Sequence, residues 1–170
     1  MNSKEYINAE LGVESAEDAL QGAMDIIAEK ISDDADIRKN LRAVMNRKAV
    51  LVCHAEDPDT DSVYRLYYDF SQPIPRLLDH QILAINRGEK EEKLKASVEL
   101  DRELALQRVR RSVIRPGSPA MAFVRAAADD AYERLIWPSM ERETRSTLTD
   151  TACEGAIKMF GLNLKPLLMQ

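Results

Sequence analysis

The last third of the chain carries an apolar pattern that a long helix satisfies. After Pro138, and as far as Lys165, there is no proline and there are only two glycines, Gly155 and Gly161. Apolar and small side chains recur at intervals of three and four residues, as on one helix face: Met140, Thr144, Leu148, Ala152, Ala156, Met159, Phe160 and Leu164. The pattern predicts one helix of about seven turns, which needs other elements to cover its apolar face.

Capping residues predict further helices upstream. Ser15 and Asp18 have the spacing of a capping box, and Asp33 or Asp34 is placed to begin a second helix. Asp101 is placed to cap a third. The apolar residues that follow keep helical spacing in all three stretches: Leu20, Ala23, Met24, Ile27 and Ile31; Ile37, Leu41, Val44 and Met45; Leu104, Ala105, Val109 and Val113.

Proline and glycine mark the breaks between the remaining elements. Asp79 predicts a helix through Asn86, with Gly88 as its left-handed stop. The run Arg115-Pro-Gly-Ser-Pro119 predicts a break, after which Ser118 caps a helix with Pro119 at its first position. That helix would carry Ala122, Ala126, Ala127 and Leu135, and Trp137-Pro138 would end or kink it.

One segment alternates as a strand does. Leu94, Ala96, Val98 and Leu100 fall on one face of a two-residue period, which is typical of a half-buried strand. The β-prone run Val50–Cys53 is its candidate partner, although it could equally form the last turn of the preceding helix. The aromatic cluster at 64–70 predicts a turn or short helix anchored in the core.

These elements predict a mainly α fold, a multi-helix bundle with a long C-terminal helix; whether a minor two-stranded β element forms stays open. We expect residues 1–170 to form a single helical region in three parts. Residues 1–62 would hold the N-terminal helices. Residues 63–100 would hold the aromatic and proline-containing segment, a helix and a short strand, and residues 101–170 three C-terminal helices.

The charge distribution restricts the function. Residues 1–62 hold 14 acidic and 7 basic residues, whereas residues 63–170 hold 15 and 17. A stand-alone nucleic-acid binder usually has a basic excess, and this chain has a net charge of −5. The apolar runs are too short for a membrane span, and the N-terminus lacks the apolar segment of a secretory signal. Two lone cysteines, Cys53 and Cys153, favour a reducing cytoplasm.

No pattern predicts catalysis, a metal or a cofactor. Asp57-Pro-Asp-Thr-Asp61 begins like a calcium loop, but Ser62 and Tyr68 occupy the positions that require glycine and glutamate. We therefore expect a solvated acidic loop. The thiols and histidines, Cys53, His54, His80 and Cys153, lack the close ligand pairs of a zinc site. A cysteine–histidine catalytic pair stays open, because such partners meet only in space. We expect a protein that is not an enzyme.

Two basic clusters are candidates for contact with nucleic acid. The denser one comprises Arg108, Arg110, Arg111 and Arg115, near a predicted helix end. Cations there also stabilise the negative end of the helix dipole, which is the simpler interpretation. The second cluster is Arg87, Lys90 and Lys93, where interleaved glutamates weaken the positive potential. These seven residues would be the candidate phosphate contacts.

The segment 71–96 carries a family resemblance. Pro73-Ile-Pro75, Asp79-His80 and Leu83-Ala-Ile-Asn-Arg-Gly-Glu-Lys-Glu91 are followed by the strand-like 94–100, an order that resembles the bacterial Tex family of transcription accessory proteins. Further similar stretches extend the likeness over nearly the whole chain: 6–23, 25–29, 129–135, 138–143 and 164–168. The chain departs from the family pattern at Gln81, where a basic residue is expected, and at Glu92-Lys93, where Gly-Val is expected.

The resemblance implies a part of a larger protein. Tex-like proteins continue into an RNase H-like domain, helix-hairpin-helix units and an OB-fold domain that binds RNA, and they are similar to a eukaryotic transcription-elongation factor. It implies a helical scaffold that positions those domains, with RNA or DNA and possible RNA polymerase contacts made by the whole protein. The alternative is that this region is itself a helix-turn-helix-like module that binds DNA or RNA. The resemblance supplies no catalytic residue.

Overall fold

A computed structural model of the chain describes residues 3–169, with side chains at residue 12 and from residue 14 onward. Helices predominate, which confirms the predicted mainly α class. The helices and strands are α1 Ser3–Ser32, α2 Ala35–Lys48, β1 Val50–Ala55, β2 Asp69–Pro73, α3 Asp79–Lys90, β3 Leu94–Glu99, α4 Arg102–Val113, α5 Met121–Ala131 and α6 Trp137–Leu168.

The chain divides into two compact units, each built from two separate stretches of sequence. The first, called the helical unit, combines Met1–Lys39 with Leu106–Pro138. The second, called the sheet unit, combines Asn40–Ala105 with Ser139–Gln170 and contains all three described strands.

In the helical unit, α1 packs along α5 through small side chains. Ala28 of α1 and Ala127, Ala128 and Ala131 of α5 are buried, and small residues at a helix contact let two backbones approach closely. The predicted helix start at Ser15 is wrong, because α1 is already helical from Ser3. Ser15 lies on an exposed part of α1, where a serine is tolerated within a helix.

The turn between α1 and α2 forms as the aspartates predict. Asp34 Oδ1 accepts hydrogen bonds from the backbone N–H groups of Asp36 (2.9 Å) and Ile37 (3.1 Å), which satisfies two free donors at the start of α2. The predicted apolar face of α2 is buried at all four positions: Ile37, Leu41, Val44 and Met45.

The sequence predicts that the helix ends or kinks at Trp137-Pro138, and the structure has a π-helical turn just before these residues. Residues Tyr132–Ile136 form this turn, and the backbone N–H of Trp137 donates to the carbonyl of Tyr132. A proline lacks the N–H that an α-helix needs and crowds the carbonyl four residues before it, so a locally wider turn accommodates Pro138. The preceding helix, α5, begins at Met121 rather than Pro119, and Ser118 Oγ accepts from the backbone N–H of Ala120 (3.3 Å).

The sheet unit contains a three-stranded antiparallel sheet in the order β2-β1-β3. The pairing of Val50–Cys53 with the 94–100 strand, which the sequence left open, does form: Leu51 pairs with Val98 and Cys53 with Ala96. The third strand, β2, was not predicted. It is short and ends in Pro73, so it reads as a loop in the sequence and is a strand only because β1 supplies its hydrogen-bonding partners.

Gly88 has a different role from the one predicted. It lies inside α3, which continues to Lys90, and the residue with the left-handed backbone is Glu92 (φ 57°). A Cβ at Gly88 would lie 2.7 Å from Cγ of Leu94, a buried residue of β3. The glycine is therefore required by the close approach of helix and strand, not by a turn.

The long C-terminal helix is confirmed as α6, which passes Gly155 and Gly161 without a break. Its predicted apolar face is buried at Met140, Thr144 and Ala152, whereas Met159 and Phe160 are more than 60% exposed. Among the described residues, no helix combines the length and apolar character needed to cross a bilayer.

Candidate nucleic-acid interface

The α3 motif, defined as Leu83–Glu91, faces the interior of the sheet unit along much of its length. Ile85 is fully buried, and Gly88 packs against Leu94. The polar residues Asn86 and Glu89 contact α6 rather than solvent alone. Most of the distinctive residues of the motif therefore hold elements together.

Arg145 of α6 is the partner that links these polar residues. Its Nη2 donates to Oδ1 of Asn86 (2.9 Å), and its guanidinium forms an ion pair with Glu89. Its Nη1 also donates to the backbone carbonyl of Ala96 in β3 (3.4 Å). With a side chain that is 20% exposed, Arg145 connects α3, β3 and α6 through charge-assisted hydrogen bonds.

Further polar contacts of α6 strengthen the same assembly. Asn86 Nδ2 donates to Oγ1 of Thr149 (2.8 Å), and Glu141 Oε1 accepts from the backbone N–H of Val98 (3.0 Å). Arg42 of α2 forms an ion pair with Glu143 at 2.8 Å. The contacts of Arg145 and Glu141 with α3 and β3 were not predicted. Opposite charges four residues apart in a helix normally indicate an exposed pair with each other.

The C-terminal end of the motif is held by a tyrosine. Tyr64 Oη donates to Oε2 of Glu91 (2.6 Å), and Arg87 Nε donates to Oε1 of Glu91 (3.3 Å). The Tyr64 hydroxyl, and after it Arg87, lowers the pKa of Glu91 below its usual value of 4.5. The same hydrogen bond raises the pKa of Tyr64.

Three of the predicted phosphate contacts lie in the sheet unit. Arg87, Lys90 and Lys93 are exposed, at the end of α3 and in the turn before β3. Arg87 is paired with Glu91, while Lys90 and Lys93 form no ion pair within the described residues. Because glutamates adjoin all three, this cluster presents mixed charge.

The other four lie in the helical unit, where Arg110 differs from its neighbours. It forms a two-point ion pair with Asp129 of α5, with Nε–Oδ1 and Nη2–Oδ2 both at 2.7 Å. Its side chain is only 15% exposed. Arg110 therefore holds α4 against α5 and has little capacity to meet a ligand.

Arg108, Arg111 and Arg115 form what we call the arginine stripe. Arg108 and Arg111 are three residues apart and fall on one side of α4, while Arg110 points to another side. Arg115 lies two residues beyond the end of α4 at Val113. All three are exposed, and none has an ion pair or hydrogen bond from its side chain within the described part of the chain.

The candidate catalytic groups, Cys53, His54 and His80, lie in β1 and at the start of α3. Cys53 is fully buried in β1, and burial, with a smaller contribution from Glu89, raises the pKa of its thiol to about 11. Its neighbour His54 is exposed and, as the next residue of a strand, points to the opposite face. His80 is exposed at the start of α3.

The acidic loop at 57–61 contains hydrogen bonds between its own residues. Asp57 accepts hydrogen bonds from the Thr60 hydroxyl and from the backbone N–H of Asp59 (3.1 Å), and the first of these lowers the pKa of Asp57. Among the described residues, no group of three or more His, Cys, Asp and Glu side chains is arranged to hold a metal ion.

Comparison with known proteins shows to which family the sequence belongs. A family model described as "Tex central region-like" matches residues 2–160. The chain is 36% identical to the Bacillus subtilis "Uncharacterized protein YdcI" over 98% of its length. It is 30% identical to "Protein tex" of Bordetella pertussis over 97% of its length and to human "S1 RNA-binding domain-containing protein 1" over 96%. It spans 24%, 23% and 18% of these relatives.

Proposed function

This chain belongs to the Tex family through its central region, and from that premise we propose that it is a non-enzymatic helical scaffold in a transcription accessory protein associated with nucleic acid. In this proposal it positions RNase H-like and OB-fold RNA-binding domains of the kind that the Tex resemblance implies. Contact with RNA polymerase and a cytoplasmic location belong to the same proposal. The name of the human relative, which refers to an S1 RNA-binding domain, supports association with RNA.

One observation carries the scaffold proposal: the most distinctive segment of the sequence is used for internal contacts. Ile85 and Gly88 pack in the core, and Asn86 and Glu89 bind Arg145. A segment that recognised a ligand would instead direct polar groups into a cleft. The α3 motif fixes α3, β3 and α6 in one arrangement, which is what a scaffold requires.

The state of Cys53 supports the non-enzymatic part of the proposal. A nucleophilic cysteine acts as its thiolate, and its pKa is usually lowered by a cation or a helix N-terminus. The pKa of Cys53 is about 11, so the thiol is protonated at neutral pH. His54 points away from it across the strand, so the adjacent cysteine and histidine do not form a nucleophile–base pair.

A chimera would test the scaffold proposal. This chain replaces the matching region of the Bacillus subtilis relative, and binding of a fluorescent single-stranded RNA is compared among the parent, the chimera and a chimera with Gly88→Val and Arg145→Ala. The chimera should bind within about threefold of the parent, and the doubly substituted chimera should bind at least tenfold more weakly. Equal binding by both chimeras would show that this region does not position the RNA-binding part.

A second candidate function is favoured by the arginine stripe: the chain itself contacts nucleic acid. The helices α4 and α5 follow one another across the Pro-Gly break, where Gly117 has a φ of 83°. Arg110 and Asp129 join the two helices, leaving three other arginines exposed. This arrangement shares with a helix-turn-helix pair only its order of elements. The distribution of exposed charge therefore supports contact with nucleic acid more strongly than the order of the helices does.

A further inference from the structure

We propose that the arginine stripe, Arg108, Arg111 and Arg115, binds the phosphate backbone of a nucleic-acid duplex. This inference rests on the proposed association with nucleic acid and adds the surface and the form of nucleic acid. It also separates these three arginines from Arg110, which adjoins them in the sequence.

Some arginines of the chain face an acid and others do not. Within the described residues, five of them lie 3.3 Å or less from a carboxylate oxygen: Arg42, Arg65, Arg87, Arg110 and Arg134. The stripe has no such pair. The acids of α5 are unavailable to it, since Asp129 binds Arg110 and Asp130 binds Arg134. Arg108 and Arg111 repel each other on one face of α4, and Arg115 adds a third positive charge beyond its end. An external polyanion would relieve that repulsion.

The spacing of the stripe suits a phosphate backbone. Arg108 and Arg111 are about 4.5 Å apart along the axis of α4, Arg115 lies two residues beyond its end, and adjacent phosphates of one strand rise by about 3.4 Å along a duplex. The stripe can therefore reach about two or three phosphates. Guanidinium groups bind phosphate oxygens through two parallel hydrogen bonds, which makes arginine well suited to this contact. The partly buried Arg110–Asp129 pair holds α4 in place, so the backbone of α4 needs little ordering on binding.

The composition of the stripe favours a duplex over a single strand. Proteins that bind single strands place aromatic side chains beside the cations, so that bases can stack on them. Residues 108–115 contain no aromatic side chain, only arginine, serine, valine and isoleucine. A stripe without stacking platforms matches the regular phosphate surface of a duplex.

Fluorescence anisotropy with the 170-residue chain tests the proposal. The probes are a 20-base-pair DNA duplex, an RNA duplex of the same sequence and the corresponding single strand, each measured from 50 to 200 mM salt. The variants are R108E/R111E/R115E and R108Q/R111Q/R115Q; the second introduces no acids at a helix end, in case the first does not fold. A control matched to the triple glutamate variant, Lys48→Glu with Arg76→Glu and Arg142→Glu, changes the net charge by the same amount at exposed positions of the sheet unit.

We expect wild-type chain to bind a duplex more tightly than the single strand, with a Kd that rises steeply with salt. Both stripe variants should weaken duplex binding at least tenfold and reduce the slope of log K against log salt by about 2 to 3. The control should weaken binding less than threefold. Preference for the single strand, equal loss in the control, or binding to polyglutamate but not to a duplex would each overturn the proposal. None of these results would contradict the scaffold proposal, which the chimera tests separately.

Discussion

Charges in the α3 motif and charges in the arginine stripe are used in different ways. Glu89 of the motif binds Arg145 from another helix, and Glu91 is held between Arg87 and Tyr64. In the stripe, by contrast, Arg108, Arg111 and Arg115 are exposed and have no partner within the described residues. Both regions are dense in charge in the sequence, but only the first uses that charge to hold the fold together.

The difference shows that local charge density does not identify an interface. Arg110 lies between Arg108 and Arg111 yet is largely buried, because a helix turns neighbouring residues to different sides. A charged side chain on a helix is available to a ligand only if it lies on the side of the helix that faces solvent. The tests below compare the two regions, beginning with the largest expected effect.

The largest expected loss of stability comes from Arg145→Ala. The substitution leaves the carboxylate of Glu89 and the amide of Asn86 without their shared donor in a partly buried site, and should lower the free energy of unfolding by about 2–4 kcal/mol. Urea unfolding followed by circular dichroism measures it. Arg42→Ala is the matched control, since the side chains of its ion pair, Arg42 and Glu143, are 46% and 41% exposed. It should lower the free energy of unfolding by about 0.2–1 kcal/mol. Equal losses in both variants would mean that the Arg145 contacts contribute no more than a surface pair.

Gly88→Ala should have the next largest effect. The added methyl group overlaps the buried side chain of Leu94, so we expect a net loss of about 1–3 kcal/mol even though alanine favours helix. Thermal unfolding would record a lower Tm. Gly22→Ala in α1 is the control, because a Cβ there meets nothing within 4 Å, and it should raise stability by about 0.5–1 kcal/mol. A stabilising Gly88→Ala would show that helix and strand do not approach closely.

Removing the charges of the stripe should hardly affect stability. R108Q/R111Q/R115Q changes three exposed side chains without partners in the described structure, so the free energy of unfolding should change by about 0.5 kcal/mol or less per site. The measurement is urea unfolding at 150 mM salt. A loss of stability as large as that of Arg145→Ala would show that the charges of the stripe stabilise the fold, as those of the α3 motif do.

The smallest expected effect is a pH dependence at the end of the motif. The folded protein lowers the pKa of Glu91, so its contribution is complete above its usual pKa of 4.5 and is lost as pH falls through the lower folded value. Tyr64→Phe removes the main cause, so its stability deficit relative to wild type should be constant from pH 7 to 5 and shrink below that.

Urea unfolding between pH 3 and 7 checks this effect. Tyr67→Phe is the control, because the Tyr67 ring contacts Phe70 and its hydroxyl has no hydrogen bond within the described residues. A deficit of Tyr64→Phe that does not vary with pH would remove the link to Glu91.

Several parts of the fold could be predicted because their causes are local. Asp34 and Asp101 begin helices through their own side chains, and the regular apolar spacing after Pro138 indicates α6. The 94–100 alternation indicates β3 for the same reason. Capping and periodicity act over a few residues, so the sequence displays them directly.

Other parts could not be predicted because their causes are distant in sequence. β2 is a strand because β1 lies beside it, and the role of Gly88 depends on Leu94. The start of α1 was misplaced because Ser15 and Asp18 have capping chemistry but stay exposed within a longer helix. Of the candidate site, the sequence identified the basic cluster, but the partnership of Arg110 with Asp129 separates that residue from the stripe.

The sequence by itself determined the helical class, the long C-terminal helix, the strand pairing as a possibility and the family, since spacing, capping and motif order are written along the chain. Only the tertiary structure decided which charges are used internally and which remain available. The physical reason is that an ion pair such as Arg145–Glu89 joins residues 56 positions apart, and its formation depends on packing that brings α6 against α3.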